Sequence, residues 1–279
     1  MSQHTEGTFT ASDGITIFQQ AWLPDDAPIA AVMLVHGLGE HSGRYAHVAA
    51  ALTGAGVAVH ALDLRGHGKS GGKRTFVKSY DEFMGDLVQF RAQIEAHHPG
   101  LALIVLGHSM GGNLAVGHVL DHQAGVAGLA LSGAALQVGS DLSPGKLMVF
   151  RLVAKVAPGV RPEGLSAEAI SRDPAVVAAY QSDPLVFTGK ISAGLGAALI
   201  DAMKRFPARF GEFRLPILIM HGTDDQLASV EGSRALEAAA GNADVTAHYY
   251  DGLYHEVFNE PEQERVLADL VTWIRSIVR

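Results

Sequence analysis

The feature that most constrains this sequence is a regular alternation of short apolar runs with longer segments of helical periodicity. Seven runs have the length of β-strands, and from residue 31 onward most of them are almost continuously apolar. Strands of that kind are buried on both faces by crossover helices, as in a mostly parallel, doubly wound sheet. The sequence therefore predicts an α/β fold. The seven runs span residues 15–22, 31–35, 57–63, 101–106, 128–132, 215–220 and 245–250.

The alternation stops after the fifth run for about 80 residues, which is longer than an ordinary loop in a compact domain. We therefore expect a main domain formed by residues 1–135 and 214–279, with residues 136–213 inserted as a helical cap. Within this insertion, the patterns at 146–158 and 193–207 predict helices.

Composition removes several classes of function. A chain of 279 residues with 48% hydrophobic content can bury a sizeable core. The absence of cysteine excludes disulfides, thiolate nucleophiles and cysteine-based zinc sites. A net charge of −8 without a basic cluster argues against a nucleic-acid partner. The polar amino-terminal segment does not resemble a signal peptide, and no apolar run has the length of a membrane span. We therefore expect a cytoplasmic protein.

Residues 101–120 carry the most informative motif. Six apolar residues lead into Gly107-His-Ser109-Met-Gly111, and an apolar helical pattern follows. A Gly-x-Ser-x-Gly motif between a buried strand and a helix is typical of a nucleophile elbow, in which a sharp turn exposes the serine hydroxyl. The competing interpretation is that Ser109 only caps the following helix. The strand-turn-helix context favours the nucleophile.

A serine nucleophile needs a base and an acid that orients the base, and in this architecture both follow it in the chain. Of the 14 histidines, His255 occupies the expected position in the loop between the last strand and the last helix. The acid is expected after the run at 215–220, where Asp224 and Asp225 are adjacent. Periodicity does not separate these two, and the other aspartate would be a turn or capping residue.

An oxyanion hole would complete the site. One backbone N–H is expected from Met110, the residue after the nucleophile, and the other from the loop that follows the strand at 31–35. The glycines in that loop leave the N–H of Leu38 free to turn inward.

The same loop also resembles a dinucleotide-binding fingerprint. Gly37 and Gly39 follow a strand, and Asp63 ends the next strand about 20 residues later, as the fingerprint requires. The third glycine is missing, because Ser42 occupies its position. An oxidoreductase would also leave the serine elbow unexplained.

Two other constellations have simpler explanations than catalysis. His118 and His122 have a metal-like spacing on one helix face, but no third ligand has an evident place, so we expect a surface face and no metal site. Asp63 and Arg65 are expected to pair within a tight loop at the end of a strand.

With these residues identified, the chain resembles the monoacylglycerol lipase group of α/β-hydrolases, also called lysophospholipase-like, over nearly its whole length. The family's acid falls three residues after a glycine, which selects Asp225 over Asp224. The matching segments are 36–45 (oxyanion loop), 62–70 (strand-end loop), 107–112 (elbow), 180–185 (cap segment), 221–225 (acid loop) and 252–255 (base loop).

The resemblance also implies a polar pocket for the glycerol moiety, which corresponds here to Glu40, Arg44 and Tyr180. This chain departs from the pattern at one position. Some members carry a second histidine three residues after the base, where this chain has Phe258.

The function that the resemblance implies is hydrolysis of monoacylglycerols to fatty acid and glycerol, without metal or cofactor. A carboxylesterase or lysophospholipase of other specificity on the same triad is the alternative. A non-catalytic binding protein of the same fold is a distant third, since all three catalytic groups are present. The expected partner is a small lipid.

The apolar pattern at 146–158, with its charged exceptions Lys146, Arg151 and Lys155, is compatible with packing inside the cap. It is also compatible with transient contact with a membrane surface, where the basic side chains would reach anionic head groups.

Overall fold

The computed structural model describes residues 3–138, 153–161 and 166–278. The described strands form one sheet in the order β1-β2-β4-β3-β5-β6-β7-β8. The pairs β1–β2 and β2–β4 are antiparallel, and every other neighbouring pair is parallel. The strands are β1 (Gln3–Thr10), β2 (Thr16–Leu23), β3 (Ala30–Val35), β4 (Val57–Leu62), β5 (Leu103–His108), β6 (Val126–Ser132), β7 (Ile217–Gly222) and β8 (Val245–Tyr250).

Helices cover both faces of the sheet, which confirms the predicted α/β architecture. Buried side chains of α1 and α7 join one apolar cluster, and those of α2, α3, α5 and α6 join the cluster on the opposite face. Strand β3 feeds both clusters, because Val32 and Leu34 point to the first and Met33 and Val35 to the second. The helices are α1 (Ala46–Gly54), α2 (Tyr80–His97), α3 (Met110–Asp121), α4 (Pro174–Ser182), α5 (Ala193–Arg205), α6 (Val230–Ala239) and α7 (Gln263–Ile277).

The sequence pattern did not predict β1. This strand pairs with β2 over its full length, from Gln3 opposite Leu23 to Thr10 opposite Thr16. All of its residues except Phe9 are exposed, so an edge strand of this kind carries no apolar alternation for a pattern to detect.

Two strands extend two residues beyond the predicted runs. Strand β5 ends at His108 and β7 ends at Gly222. Because these strands run in the same direction, the residues that follow both of them lie at one edge of the sheet. This carboxyl edge is where ligands bind in open α/β sheets. The candidate site lies there.

The long connection between β6 and β7 contains the described helices α4 and α5. The helix predicted at 193–207 is present as α5, which gives way to a 3-10 turn at Phe206–Ala208 that contains Pro207. Of the pattern predicted at 146–158, residues 153–156 are helical, and 146–152, with Lys146 and Arg151, lie outside the described residues. Among the residues that the structure describes, no helix is long and apolar enough to cross a membrane.

Candidate active site

Ser109 occupies a sharp turn between β5 and α3. Its backbone dihedrals are φ 54° and ψ −119°, whereas His108 before it ends the strand and Met110 after it begins the helix. A non-glycine residue in this region costs on the order of 1–3 kcal/mol and persists only where the surroundings enforce it. The side chain is half-buried and therefore open to the edge of the sheet. The turn predicted from the motif is confirmed.

The glycines of the motif allow the elbow to pack. A Cβ atom on Gly111 would overlap the backbone oxygens of Val35, at the end of the neighbouring strand β3, and of His36 directly after it. A Cβ on Gly112 would lie 2.6 Å from that of Ala134, and one on Gly107 would overlap the backbone of Gly111. The turn therefore depends on the absence of these side-chain atoms.

Asp225 and His255 form a buried pair at the same edge. The Nδ1 atom of His255 lies 2.8 Å from Oδ2 of Asp225. The other carboxylate oxygen accepts hydrogen bonds from the backbone N–H groups of Leu227 and Ala228, at 2.8 and 2.9 Å. Asp224, in contrast, is exposed. Between the two adjacent aspartates, Asp225 is the one in contact with the histidine.

A second histidine supports the carboxylate of Asp225. His221, at the end of β7, approaches Oδ2 with Nε2 at 3.0 Å and accepts from the hydroxyl of Ser233 at 2.8 Å. Burial disfavours the charged form of Asp225, but the charge of His255 and the hydrogen bonds from both histidines outweigh it and hold the pKa of Asp225 well below its usual range. The carboxylate is therefore an ionised acceptor.

Because an ionised carboxylate can only accept, the proton of neutral His255 sits on Nδ1 and leaves Nε2 as the basic nitrogen. Burial lowers the pKa of His255, but the charge of Asp225 and its hydrogen bond raise it more, so the net pKa lies above the ordinary value. His108 packs against this imidazole, with ring centroids 4.8 Å apart. Burial and the neighbouring His255 lower the pKa of His108 to about 3, so this second ring stays neutral.

The loop predicted to supply an oxyanion donor lies beside the elbow. A Cβ atom on Gly37 would be 3.2 Å from the Cβ of Ser109. The N–H of Gly37 is already used, because it donates to Oε1 of Glu40 at 2.6 Å. The next N–H along the loop is that of Leu38. Met110 is the first residue of α3, and the first N–H groups of a helix have no intrahelical acceptor. This arrangement fits the two predicted donors.

The three residues assigned to the glycerol pocket lie together. Arg44 donates to Glu40 at 2.8 Å, and its guanidinium lies over the ring of Tyr180, 4.7 Å from the centroid. Tyr45 also donates to Glu40, at 2.6 Å. Arg44 makes a further bidentate pair with Glu256, at 2.6 and 2.7 Å. Much of the hydrogen-bonding capacity of this set is used within the protein.

The prediction that Asp63 pairs with Arg65 is wrong. Arg65 pairs instead with Asp86 on α2, at 2.6 and 2.7 Å, and with Asp13, at 2.8 Å. Asp63 accepts from the backbone and hydroxyl of Ser42, at 2.8 and 2.6 Å. Asp63 also accepts from the backbone N–H of Lys69 in its own loop, at 2.7 Å, so it holds that loop without Arg65.

The prediction that His118 lies on a surface face of its helix is also wrong. His118 is fully buried, and neither ring nitrogen has a partner among the described residues. His122 is exposed, with its ring centroid 5.2 Å away. Within the described ranges, no group of three potential ligands is arranged to hold a metal ion.

Sequence reasoning missed His108, His221 and Glu256. His108 is the last residue of β5 and His221 the last but one of β7, which is a weak signal that such residues face the site. Glu256 follows the predicted base directly, but its partner Arg44 is 212 positions away, so no local sequence pattern indicates the pair.

Comparison with known proteins gives consistent matches over the whole chain. Residues 26–262 match the family described as "Serine aminopeptidase, S33". The chain is 43% identical over 275 residues to the monoacylglycerol lipase of Mycolicibacterium smegmatis, covering 99% of this chain and 98% of that protein. It is 31% identical to human monoglyceride lipase, covering 94% and 88%. The crystal structure of Paleococcus ferrophilus monoacylglycerol lipase aligns with a TM-score of 0.83 at 30% identity, covering 98% and 99%.

Proposed function

Because this chain belongs to the serine aminopeptidase family of α/β-hydrolases and is a carboxylic ester hydrolase, we propose that it cleaves monoacylglycerols into fatty acid and glycerol. The observation that carries the proposal is the buried Asp225–His255 pair at the same sheet edge as the strained Ser109 turn. The substrate class rests on the similarity to monoacylglycerol lipases over nearly the whole length of both chains.

In the proposed mechanism, His255 Nε2 takes the hydroxyl proton of Ser109 as Oγ bonds to the acyl carbon. The N–H groups of Leu38 and Met110 stabilise the oxyanion. The ester C–O bond then breaks, and His255 returns its proton to the departing glycerol oxygen. Water attacks the acyl-enzyme, His255 accepts its proton, and release of the fatty acid returns a proton to Ser109. Asp225 holds the imidazole tautomer and stabilises its cationic form throughout.

For the alcohol side of the substrate, we assign Glu40, Arg44 and Tyr180 to the glycerol pocket. The support is their cluster beside the oxyanion loop and the burial of Glu40 and Tyr180. Within the pocket, Glu40 accepts from three protein donors, so it also holds Arg44 and the oxyanion loop in place. The side chain of Phe258 is buried and has no polar atom with which to bind the alcohol, at the position where some members of the group that the sequence resembles have a histidine.

We further assign residues 136–213 as the cap over the acyl chain. Described parts of it reach the oxyanion loop, where the N–H of Phe187 donates to Gly39 at 2.6 Å and Asp183 pairs with His41 at 2.9 Å. Val156 and Val160 are 77% and 49% exposed. Exposed apolar side chains of this kind suit transient contact with a lipid surface.

Fatty-acid release from monoolein, diolein and triolein by the wild type and Ser109→Ala tests the proposal. We expect monoolein turnover that Ser109→Ala abolishes, with little cleavage of triolein, because a narrow alcohol pocket admits glycerol but not further acyl chains. If the wild type hydrolyses none of the three lipids but cleaves a soluble ester through Ser109, the carboxylesterase alternative replaces the assignment as a monoacylglycerol hydrolase. If the wild type hydrolyses no ester, the proposed ester hydrolysis by this triad is wrong.

A further inference from the structure

A buried charge cluster lies behind the base. It contains Glu40, Arg44 and Glu256, whose side chains are only 3%, 11% and 5% exposed. Arg44 bridges the two carboxylates: Nη1 donates to both, and Nη2 donates to Oε2 of Glu256 at 2.7 Å. Asn259 donates a further hydrogen bond to Glu256 at 2.8 Å. Two carboxylates and one guanidinium leave a formal charge of −1 within this cluster.

The cluster joins two loops of the site. Glu40 holds the oxyanion loop through the N–H of Gly37, at 2.6 Å. Glu256 is the residue directly after His255, and its own N–H donates to Ile170 at 2.8 Å. Arg44 lies between them, so a rigid, bidentate bond connects the loop of the base to the loop of the oxyanion donors.

We propose that Glu256 is a positioning residue for ester hydrolysis. Through its bidentate pair with Arg44, it fixes the His255 loop against the oxyanion loop. Its carboxylate also adds a buried negative charge that favours the imidazolium form of His255. This inference rests on the proposed function, because it concerns the same base. Glu256 touches neither the substrate nor the reacting atoms in this role.

The charge of Glu256 acts on His255 together with other groups. Burial lowers the pKa of His255, whereas Asp225, and then Glu256 and Glu40, raise it. A base whose cationic form is stabilised accepts the serine proton more readily, so removal of the Glu256 charge lowers both the pKa and the rate. The titratable and charged groups around the imidazole are Asp225, His221 behind it, His108, Glu40, Arg44 and Glu256.

A second ion pair with a buried carboxylate, a few residues along the chain, provides a control. Glu260 is fully buried and accepts from the backbone of Arg172 at 2.8 Å and from its guanidinium at 2.6 Å. It joins the insertion to the segment after the base, but it is not among the main groups that shift the pKa of His255. Glu260→Gln therefore removes a similar structural bond without removing the local charge.

The test measures the pKa of His255 by NMR titration of its Nδ1–H proton in the wild type, Glu256→Gln, Glu256→Asp and Glu260→Gln. Hydrolysis of p-nitrophenyl butyrate by the same proteins is followed from pH 5 to 9. We expect Glu256→Gln to lower the pKa by about half a unit or more, as loss of a nearby charge should. The acid limb of kcat/KM should move to lower pH by the same amount, with kcat reduced several-fold and KM little changed.

Glu256→Asp separates charge from geometry. It keeps the negative charge, so the pKa of His255 should stay near the wild-type value, but the shorter side chain cannot make both bonds to Arg44 and kcat should fall. This variant also keeps the proposal testable if Glu256→Gln does not fold: a wild-type pKa with lowered kcat supports it, and unchanged kcat contradicts it.

An unchanged pKa in folded Glu256→Gln, or an equal shift in Glu260→Gln, would overturn the inference. Because the NMR titration needs no substrate, it gives a result even if no ester is cleaved. In that case the proposed function fails on its own, whereas the effect of Glu256 on His255 is still measured.

Discussion

The two halves of the candidate triad are held by different forces. Ser109 is fixed by backbone packing, because its turn forms only where Gly107, Gly111 and Gly112 let strand and helix approach closely. The Asp225–His255 pair is fixed by side-chain hydrogen bonds and charges. Steric packing fails abruptly when an atom is added, whereas electrostatic support can be weakened in steps. Substitutions should therefore affect folding on the serine side and proton transfer on the histidine side.

The largest effect on the histidine side is expected from Asp225→Asn. The amide cannot hold the proton on Nδ1 of His255 or stabilise the imidazolium, so kcat on a soluble ester should fall about 10³- to 10⁴-fold, as in other serine hydrolases of this design. The fold should persist, as judged by an unchanged thermal transition within a few degrees.

Asp224→Asn is the matched control for this prediction. Asp224 is adjacent and exposed, so its variant should keep near-wild-type kcat. If Asp224→Asn were the damaging substitution, the assignment of the acid would be wrong.

On the serine side, Gly111→Ala should damage folding first. The added Cβ would overlap the backbone oxygens of Val35 and His36, which cannot move without disturbing β3. We expect the free energy of unfolding in urea to fall by about 2–4 kcal/mol, above the usual cost of overpacking because the neighbour is backbone. The acid limb of the residual activity should keep its wild-type midpoint.

Gly85→Ala gives the comparison for Gly111→Ala. Gly85 lies within α2 with no atom within 4 Å of an added Cβ, so alanine there should stabilise by about 0.4–1 kcal/mol. Destabilisation of equal size in both variants would show that steric overlap at the elbow is not the cause.

The pH dependence of the wild type should also show the charged support of His255. Because Asp225 and Glu256 raise the pKa of His255, and the base must be neutral in the free enzyme, kcat/KM should rise with pH through a midpoint above 6.5. The measurement is a pH–rate profile on a soluble ester below saturation. A midpoint below 6.5 would mean that burial outweighs the carboxylates.

The smallest effect is expected where the insertion contacts the oxyanion loop. Asp183→Asn removes the charge that pairs with His41, but Asp183 is 27% exposed and the backbone bond from Phe187 to Gly39 remains. We expect a loss of at most about 1 kcal/mol in unfolding free energy and less than about a threefold change in kcat/KM. A larger loss of activity would show that this contact orders the oxyanion loop.

The parts of the structure that the sequence predicts are those with a local signal. Short apolar runs predicted seven strands, and the glycine pattern predicted the elbow. Strand β1 was missed because an exposed edge strand has no buried face. The partners of Arg65 and Glu256 were not foreseen, since ion pairs between distant residues depend on how the chain folds back, with partners 21 and 212 positions away.

The most direct test of the proposed triad is labelling with a fluorophosphonate, which reacts irreversibly with an activated serine. The reaction is followed by mass spectrometry of peptides from the wild type, Ser109→Ala and His255→Ala, with and without monoolein. We expect one adduct on Ser109 in the wild type, which forms more slowly with monoolein present and is nearly lost in His255→Ala. An adduct on another residue, or full monoolein hydrolysis by protein labelled at Ser109, would contradict the proposed triad.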